Sequence, residues 1–337
     1  MELWPIWLKS SFLRLQKKRI ADQTVIVDNM NIVVYGTGGV GGYFGARLLD
    51  SGCSVHFIAR GPHLDAIRNN GLLLKSILGD LHLKNVSISS SSTEIPFSKI
   101  DLVLFCTKTF QLRGASQEIQ PFVQTNTFVL PLLNGIENSQ ILLEYFLKNQ
   151  VLGGLCRIIS KIESHGVIAH IDVEPSIVFG PLDGKINAQT SALQAVFQKA
   201  KIKSILSENI QREIWSKFLF ISSISALGGL VGKPIGVLRQ GYLRDVISKT
   251  AEEIAELALA YGVDLGEDIV TKQLAIVDRQ DPKTTASLQR DIMEGKPSEL
   301  EAQNGAVVRM SRSKGISVPC NEMIYELLKA RIENNEF

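Results

Sequence analysis

The sequence predicts a doubly wound α/β domain followed by an all-helical domain. Three observations carry this reading. Strand-length apolar runs alternate with helix-length periodic stretches up to about residue 207. A glycine-rich turn joins the first such strand to the first such helix. From about residue 208 onward the apolar spacing is helical and no convincing strand follows. At 337 residues the chain is long enough for two domains, and 45% hydrophobic with 21% charged residues is the composition of a globular protein.

In chain order, residues 1–29 mix Trp4, Ile6, Trp7, Leu8, Phe12, Leu13 and Leu15 with Lys9, Arg14, Lys17, Lys18 and Arg19. A secretory signal puts its basic residues before the apolar core; here they follow it. The stretch reads as a basic amphipathic appendage or an upstream start, with a membrane-surface helix as the alternative. The α/β domain is expected over 30–207. Its elements are a strand at 31–35, a helix near 40–50, strands at 55–59, 101–106 and 126–130, and a helix near 110–120. A β-rich stretch at 151–181, a helix at 188–200 and a strand at 202–206 complete it. The Ser-rich run 89–92 reads as a loop. The helical domain is expected over 208–337, with helices at 210–231, 241–261, 268–279, 298–314 and 320–334, punctuated by Gly262, Gly295-Lys296-Pro297 and Gly315.

Composition removes several function classes. Lys+Arg total 36 and Asp+Glu 34, a balance too even for a protein held to nucleic acid by phosphate contacts. Cys53, Cys106, Cys156 and Cys320 lack CxxC spacing and the five histidines lack HExxH pairing, so no metal centre is expected. No run of about 18 consecutive apolar residues occurs, so no membrane span is expected.

Gly36-Thr37-Gly38-Gly39-Val40-Gly41 gives GxGxxG spacing between a strand and a helix. Gly36 suits the tight turn, Gly38 the approach of a pyrophosphate, and Gly41 close packing of helix on sheet, the fingerprint of a Rossmann-type dinucleotide domain. Helix N-terminal amides then face the phosphates. NAD-binding units carry an acid after the second strand. Here Ala59-Arg60 stands there, with no acid between Ser51 and Leu64, so a 2′-phosphate on Arg60, hence NADP, is expected. Lys108 and Asn134 follow later strands at their carboxyl ends, where ligands bind in open parallel sheets. Read locally, Lys217 is either a proton donor or a lysine snorkelling from an amphipathic helix. Glu299 after Ser298 reads as a first-turn acid, with Glu301 closing an S-x-x-E capping box.

From Met30 to Glu326 the chain resembles the ketopantoate reductase family (2-dehydropantoate 2-reductase). The shared residues are the glycine loop, Arg60-Gly61, the Lys108 segment, Leu133-Asn134-Gly135-Ile136 and Trp215-Ser216-Lys217. Ser287, Asp291, Ser298-Glu299, Gly305 and Gly315-Ile316-Ser317-Val318-Pro319 extend the match. The resemblance implies a Rossmann domain and a helical domain around a shared cleft, with NADPH reducing a 2-keto acid, ketopantoate first among them. It implies Lys217 as the proton donor and Glu299 as the acid that positions the substrate and supports the lysine. Ser287 is the implied carboxylate ligand, Asn134 lies between cofactor and substrate, and Gly36, Gly38, Gly39, Gly41, Arg60 and Lys108 are cofactor contacts. The sequence departs from the family at Ile221, Ser225, Ile235 and Thr284, where biosynthetic members carry asparagine; these changes predict a less polar pocket and a different or more apolar substrate. The expected partners are a small 2-keto acid and optionally a second copy of the chain, without nucleic acid or stable membrane association. The expected location is the cytoplasm.

Overall fold

The structure, a computed structural model, describes residues 30–334; the reading of residues 1–29 lies outside them. The chain runs through β1 (Asn31–Tyr35), α1 (Gly39–Asp50), β2 (Ser54–Ile58), α2 (Gly61–Asn70), β3 (Leu72–Ser76), β4 (Leu81–Leu83) and β5 (Ser87–Ser89). It continues through β6 (Leu102–Phe105), α3 (Leu112–Ile119), β7 (Phe128–Pro131), α4 (Asn138–Leu143), β8 (Leu152–Ser164), β9 (Val167–Pro181), α5 (Ala188–Lys199) and β10 (Lys203–Leu206). The remainder is helical: α6 (Ile210–Val231), α7 (Ile235–Leu238), α8 (Gly241–Ala260), α9 (Ile269–Arg279), α10 (Ser287–Met293), α11 (Asn304–Lys314) and α12 (Pro319–Glu333).

The first sheet is parallel throughout, in the order β5-β2-β1-β6-β7. Both its faces are covered, which explains why its strands read as unbroken apolar runs. Along β1, Ile32 and Val34 enter one apolar layer with Phe44, Leu48 and Phe57, while Val33 and Tyr35 enter the opposite layer with Phe105, Leu112 and Val129. The β-rich stretch beyond residue 151 joins β3 and β4 in a second, mixed sheet in the order β10-β9-β3-β4, with β8 antiparallel on β9.

β5 ends at Ser89, the first residue of the serine run 89–92, and residues 90–92 are non-strand as expected. Its pairing is long-range: the buried His56 ring on β2 sits 2.8 Å from both the Ser87 and Ser89 hydroxyls. Burial pushes the His56 pKa down to about 4 from 6.5. The unfolded chain therefore takes up this proton near pH 6.5 and the native protein only near 4. The stability contributed by the neutral ring is present above pH 6.5 and lost as pH falls toward 4, on the order of 3 kcal/mol in full. Melting temperature should fall between pH 7 and 4.5, and His56→Asn should flatten that slope; parallel slopes would refute the assignment.

The helical domain is built around α6. By length and hydropathy α6 alone among the described helices qualifies as a membrane span, yet it is a core helix here. Trp215, Phe218 and Leu219 are buried in one apolar cluster with Ile254 and Leu257 of α8, and Ala226 and Leu227 in another with Leu288 of α10 and Leu328 of α12.

The expected single helix at 298–314 is corrected. Residues 298–303 form turns and α11 begins only at Asn304. Gln303, at φ −105° and ψ −100°, is outside helical space and separates the two parts. Glu301 closes no capping box; it accepts the Tyr325 hydroxyl at 2.6 Å and pairs with Arg309 at 3.0 Å.

Candidate active site

The glycine loop connects β1 to α1 at the carboxyl end of the parallel sheet. Gly36 has φ +98°, and a Cβ there would lie 2.9 Å from the Cys106 carbonyl and the Thr107 nitrogen. A Cβ on Gly41 would collide with the Gly36 carbonyl oxygen, so α1 packs against the turn as closely as backbone permits. Gly38 is the opposite case: nothing lies within 4 Å of a Cβ built there. Gly38 also N-caps α1 without a side-chain hydrogen bond, leaving the first-turn amides of a 12-residue helix available.

A cavity of about 780 Å³ opens from this loop into the gap between the domains. It gathers Gly36, Gly38 and Gly39 from the loop, Lys108 and Asn134 after β6 and β7, Lys217 from α6, Ser287 from the start of α10, and Glu299. Gly41 does not line it, because its task is packing behind the loop. Ile221, Ser225, Ile235 and Thr284 all line it.

Arg60 also lies outside the lining. β2 sits beside β1 on the side away from β6, so Arg60 emerges beyond the central gap, N-capping α2 with its side chain 70% exposed. The loop holds no acid, but the fold brings one: Glu118 of α3 lies 3.5 Å from the Arg60 guanidinium. Burial alone would raise the Glu118 pKa; hydrogen bonds from the Tyr35 hydroxyl and the Ser92 amide, with the Arg60 charge, outweigh it and hold the carboxyl below its usual range. Nothing in the sequence near Arg60 marks Glu118, 58 residues away.

Glu299 is 4% exposed and its carboxylate ties the two domains together. One oxygen accepts the Thr109 amide and hydroxyl, each at 3.0 Å; the other accepts the Asn134 side-chain amide at 3.3 Å. The single Thr109 hydroxyl proton is shared with the Asn134 carbonyl, which lies closer at 2.7 Å. Beside this knot, Lys108 Nζ lies 2.5 Å from Asp291 of α10, a second tie across the gap. Lys108 is thus held by the helical domain as well as exposed to the cavity. Thr109 was not among the expected site residues, although it directly follows Lys108.

Lys217 makes no hydrogen bond or ion pair among the described residues. Glu299 makes no ion pair with it within 4.0 Å; the carboxylate accepts from Thr109 and Asn134 and acts on the lysine's charge through space. Burial pushes the Lys217 pKa below that of a free lysine, with Arg157 adding to the shift and Cys156 and Glu299 opposing it. Arg290 adds a cation that local sequence did not single out. Its guanidinium bonds the Thr285 carbonyl and hydroxyl, it lines the cavity, and no carboxylate pairs with it among the described residues.

The donor set fits a dinucleotide. Thr107 Oγ1 and Ser160 Oγ are buried lining atoms without hydrogen-bond partners, beside the open Gly38 and the first turn of α1.

A glycine cradle at the edge of a parallel sheet, facing a desolvated lysine supplied by a second domain, defines a dinucleotide-dependent oxidoreductase. Comparison with known proteins narrows the class. The family described as Ketopantoate reductase PanE/ApbA matches residues 32–184, and its C-terminal counterpart matches residues 209–333. The chain belongs to the ketopantoate reductase family. It is 28% identical over 301 residues to an uncharacterized oxidoreductase of Bacillus subtilis, covering 89% of this chain and 98% of that one. It is 28% identical over 304 residues to the 2-dehydropantoate 2-reductase of Pyrococcus abyssi, covering 90% and 98%. A crystal structure of a PanE/ApbA family ketopantoate reductase from Ralstonia eutropha superposes with a TM-score of 0.83 at 28% identity, covering 91% of this chain and 100% of that one.

Proposed function

We propose that the protein reduces a 2-keto acid to the 2-hydroxy acid with NADPH as donor. Ketopantoate, the substrate class in the name of the Pyrococcus abyssi relative, is the first compound to test. One observation carries the reading: Lys217, Glu299, Asn134 and Ser287 converge on the cavity that begins at the glycine loop. When bound, the nicotinamide supplies a hydride to the keto carbon. Lys217 holds a proton at Nζ and passes it to the keto oxygen as negative charge develops there. Glu299, locked by Thr109 and Asn134, holds its carboxylate on the cavity wall, where it positions the substrate and its charge favours the protonated lysine. Ser287 hydrogen-bonds the substrate carboxylate. The retention of both Lys217 and Glu299 in one cavity favours a working enzyme over a nucleotide sensor. NADPH absorbance with a panel of 2-keto acids tests the reaction, and no oxidation with any of them overturns it.

The choice of NADPH rests on Arg60, an exposed guanidinium at the end of β2 in a loop without an acid. A 2′-phosphate there competes with Glu118 for the same cation. Arg60→Ala should raise the Kd for NADPH about tenfold or more while leaving NADH nearly unchanged, read by nicotinamide fluorescence. Equal weakening of both cofactors would refute the assignment. The four free cysteines support a reducing compartment, the cytoplasm.

A further inference from the structure

We propose that the substrate is a 2-keto acid whose side chain is bulky and apolar, branched or aromatic, with no hydroxyl to be paired. This rests on the reductase reading above and specifies which keto acid the site takes.

The argument starts from α6. With 3.6 residues per turn, the positions three, four, seven and eight residues after Lys217 share its face of the helix. Those positions are Phe220, Ile221, Ile224 and Ser225, and all four line the same cavity as Lys217. At 1.5 Å per residue they extend the wall by roughly 12 Å beyond the lysine, about the length of a phenylalkyl group. Ile235 and Leu238 of α7 and Ile276 of α9 add apolar side chains to the same lining. A substrate with its keto oxygen at Lys217 therefore sends its side chain among aliphatic and aromatic groups.

Two of the glutamines in the lining are committed elsewhere. The Gln289 amide is committed to the Lys233 carbonyl at 3.0 Å. Gln273 donates to the Ser216 hydroxyl at 3.2 Å, which ties it to the level of Lys217 and the reacting carbonyl. Its unpartnered Oε1 thus belongs to the reactive end of the cavity. Gln280, Thr284, Thr285, Arg290 and Gln303 line the cavity elsewhere, but along the α6 wall beyond Lys217 the Ser225 hydroxyl is the polar group beside Phe220, Ile221 and Ile224.

The test uses the full-length protein with NADPH. It compares kcat/KM for ketopantoate with 4-methyl-2-oxopentanoate and phenylpyruvate, which share the reacting 2-keto carboxylate and differ in the side chain. Calorimetric affinities of pantoate and the two matching 2-hydroxy acids for the protein–NADP complex provide a readout independent of turnover. An apolar pocket is expected to favour one of the apolar acids by about 10- to 100-fold in both measurements. Ile221→Asn should reduce that preference about tenfold. Preference for ketopantoate and pantoate in the wild-type protein overturns the proposal, whether or not the variant folds. Absence of turnover with every keto acid sinks the reductase reading instead, and the calorimetric ranking still decides the character of the pocket.

Discussion

Lys217→Ala is expected to lower kcat by about 10²- to 10⁴-fold, the range that a positioned general acid contributes. The magnitude follows from the surroundings of the ammonium group. It is half-buried, no carboxylate among the described residues pairs with it, and it lines the cavity that starts at the glycine cradle. A charge in that position stabilises a developing alkoxide more strongly than a solvated lysine would. Burial also pushes its pKa downward, which brings the proton closer to the working pH. The direction sets a pH dependence. Reduction needs the protonated lysine, so kcat should fall as pH rises through a pKa below the ordinary 10.5. That basic limb should be absent in Lys217→Ala. The variant's fluorescence affinity for NADPH checks that the cradle is intact. A variant that turns over at the wild-type rate, or keeps the same basic limb, removes Lys217 from the reaction.

The glycine loop was legible because its information is local. A strand, a turn needing positive φ and a helix start fall within a dozen residues, and Gly36 and Gly41 each meet the constraint their spacing announced. Lys217 was not legible in that way. A lysine beside Trp215 and Phe218 on an amphipathic helix fits a snorkelling role equally well, and only the resemblance raised it above that. The structure adds an ammonium without a hydrogen-bond or ion-pair partner among the described residues, in the shared cavity. The misread elements have non-local causes. β5, a short strand that local sequence does not announce, pairs with β2, where His56 contacts its two serines. Ser298 heads a plausible capping box, but Gln303 leaves helical space and Glu301 turns to Tyr325 and Arg309 instead. Glu118 beside Arg60 is a product of the fold, and no pattern within the second βα loop predicts it. Ile221, Ser225, Ile235 and Thr284 were legible only by resemblance. In the structure the residue at each of these positions lines the cavity wall.

Glu299→Ala should lower kcat/KM by about 10²-fold, with Glu299→Gln intermediate. The carboxylate accepts from the Thr109 amide and the Asn134 side chain and shares the Thr109 hydroxyl proton with the Asn134 carbonyl, in a position almost closed to water. Hydrogen bonds to a charged group contribute about 1.5–3 kcal/mol each, and buried donors left without an acceptor add a desolvation penalty of about 1–3 kcal/mol. A loss near 2.7 kcal/mol, a factor of 100, is therefore reached if only part of the network goes unreplaced. The knot also joins the loops after β6 and β7 to the helical domain, so its loss should show in KM as well as kcat. Glutamine keeps one acceptor oxygen for Thr109 but turns an amide toward the Asn134 donor, which predicts partial rescue. The neighbouring Lys108–Asp291 pair persists in both variants and should hold the domains together. Melting temperature must then fall less in Glu299→Gln than in Glu299→Ala, and both variants must still bind NADPH. If Glu299→Ala retains wild-type kcat/KM, the carboxylate is merely a structural tie and the orientation of substrate must come from Asn134 and Ser287 alone.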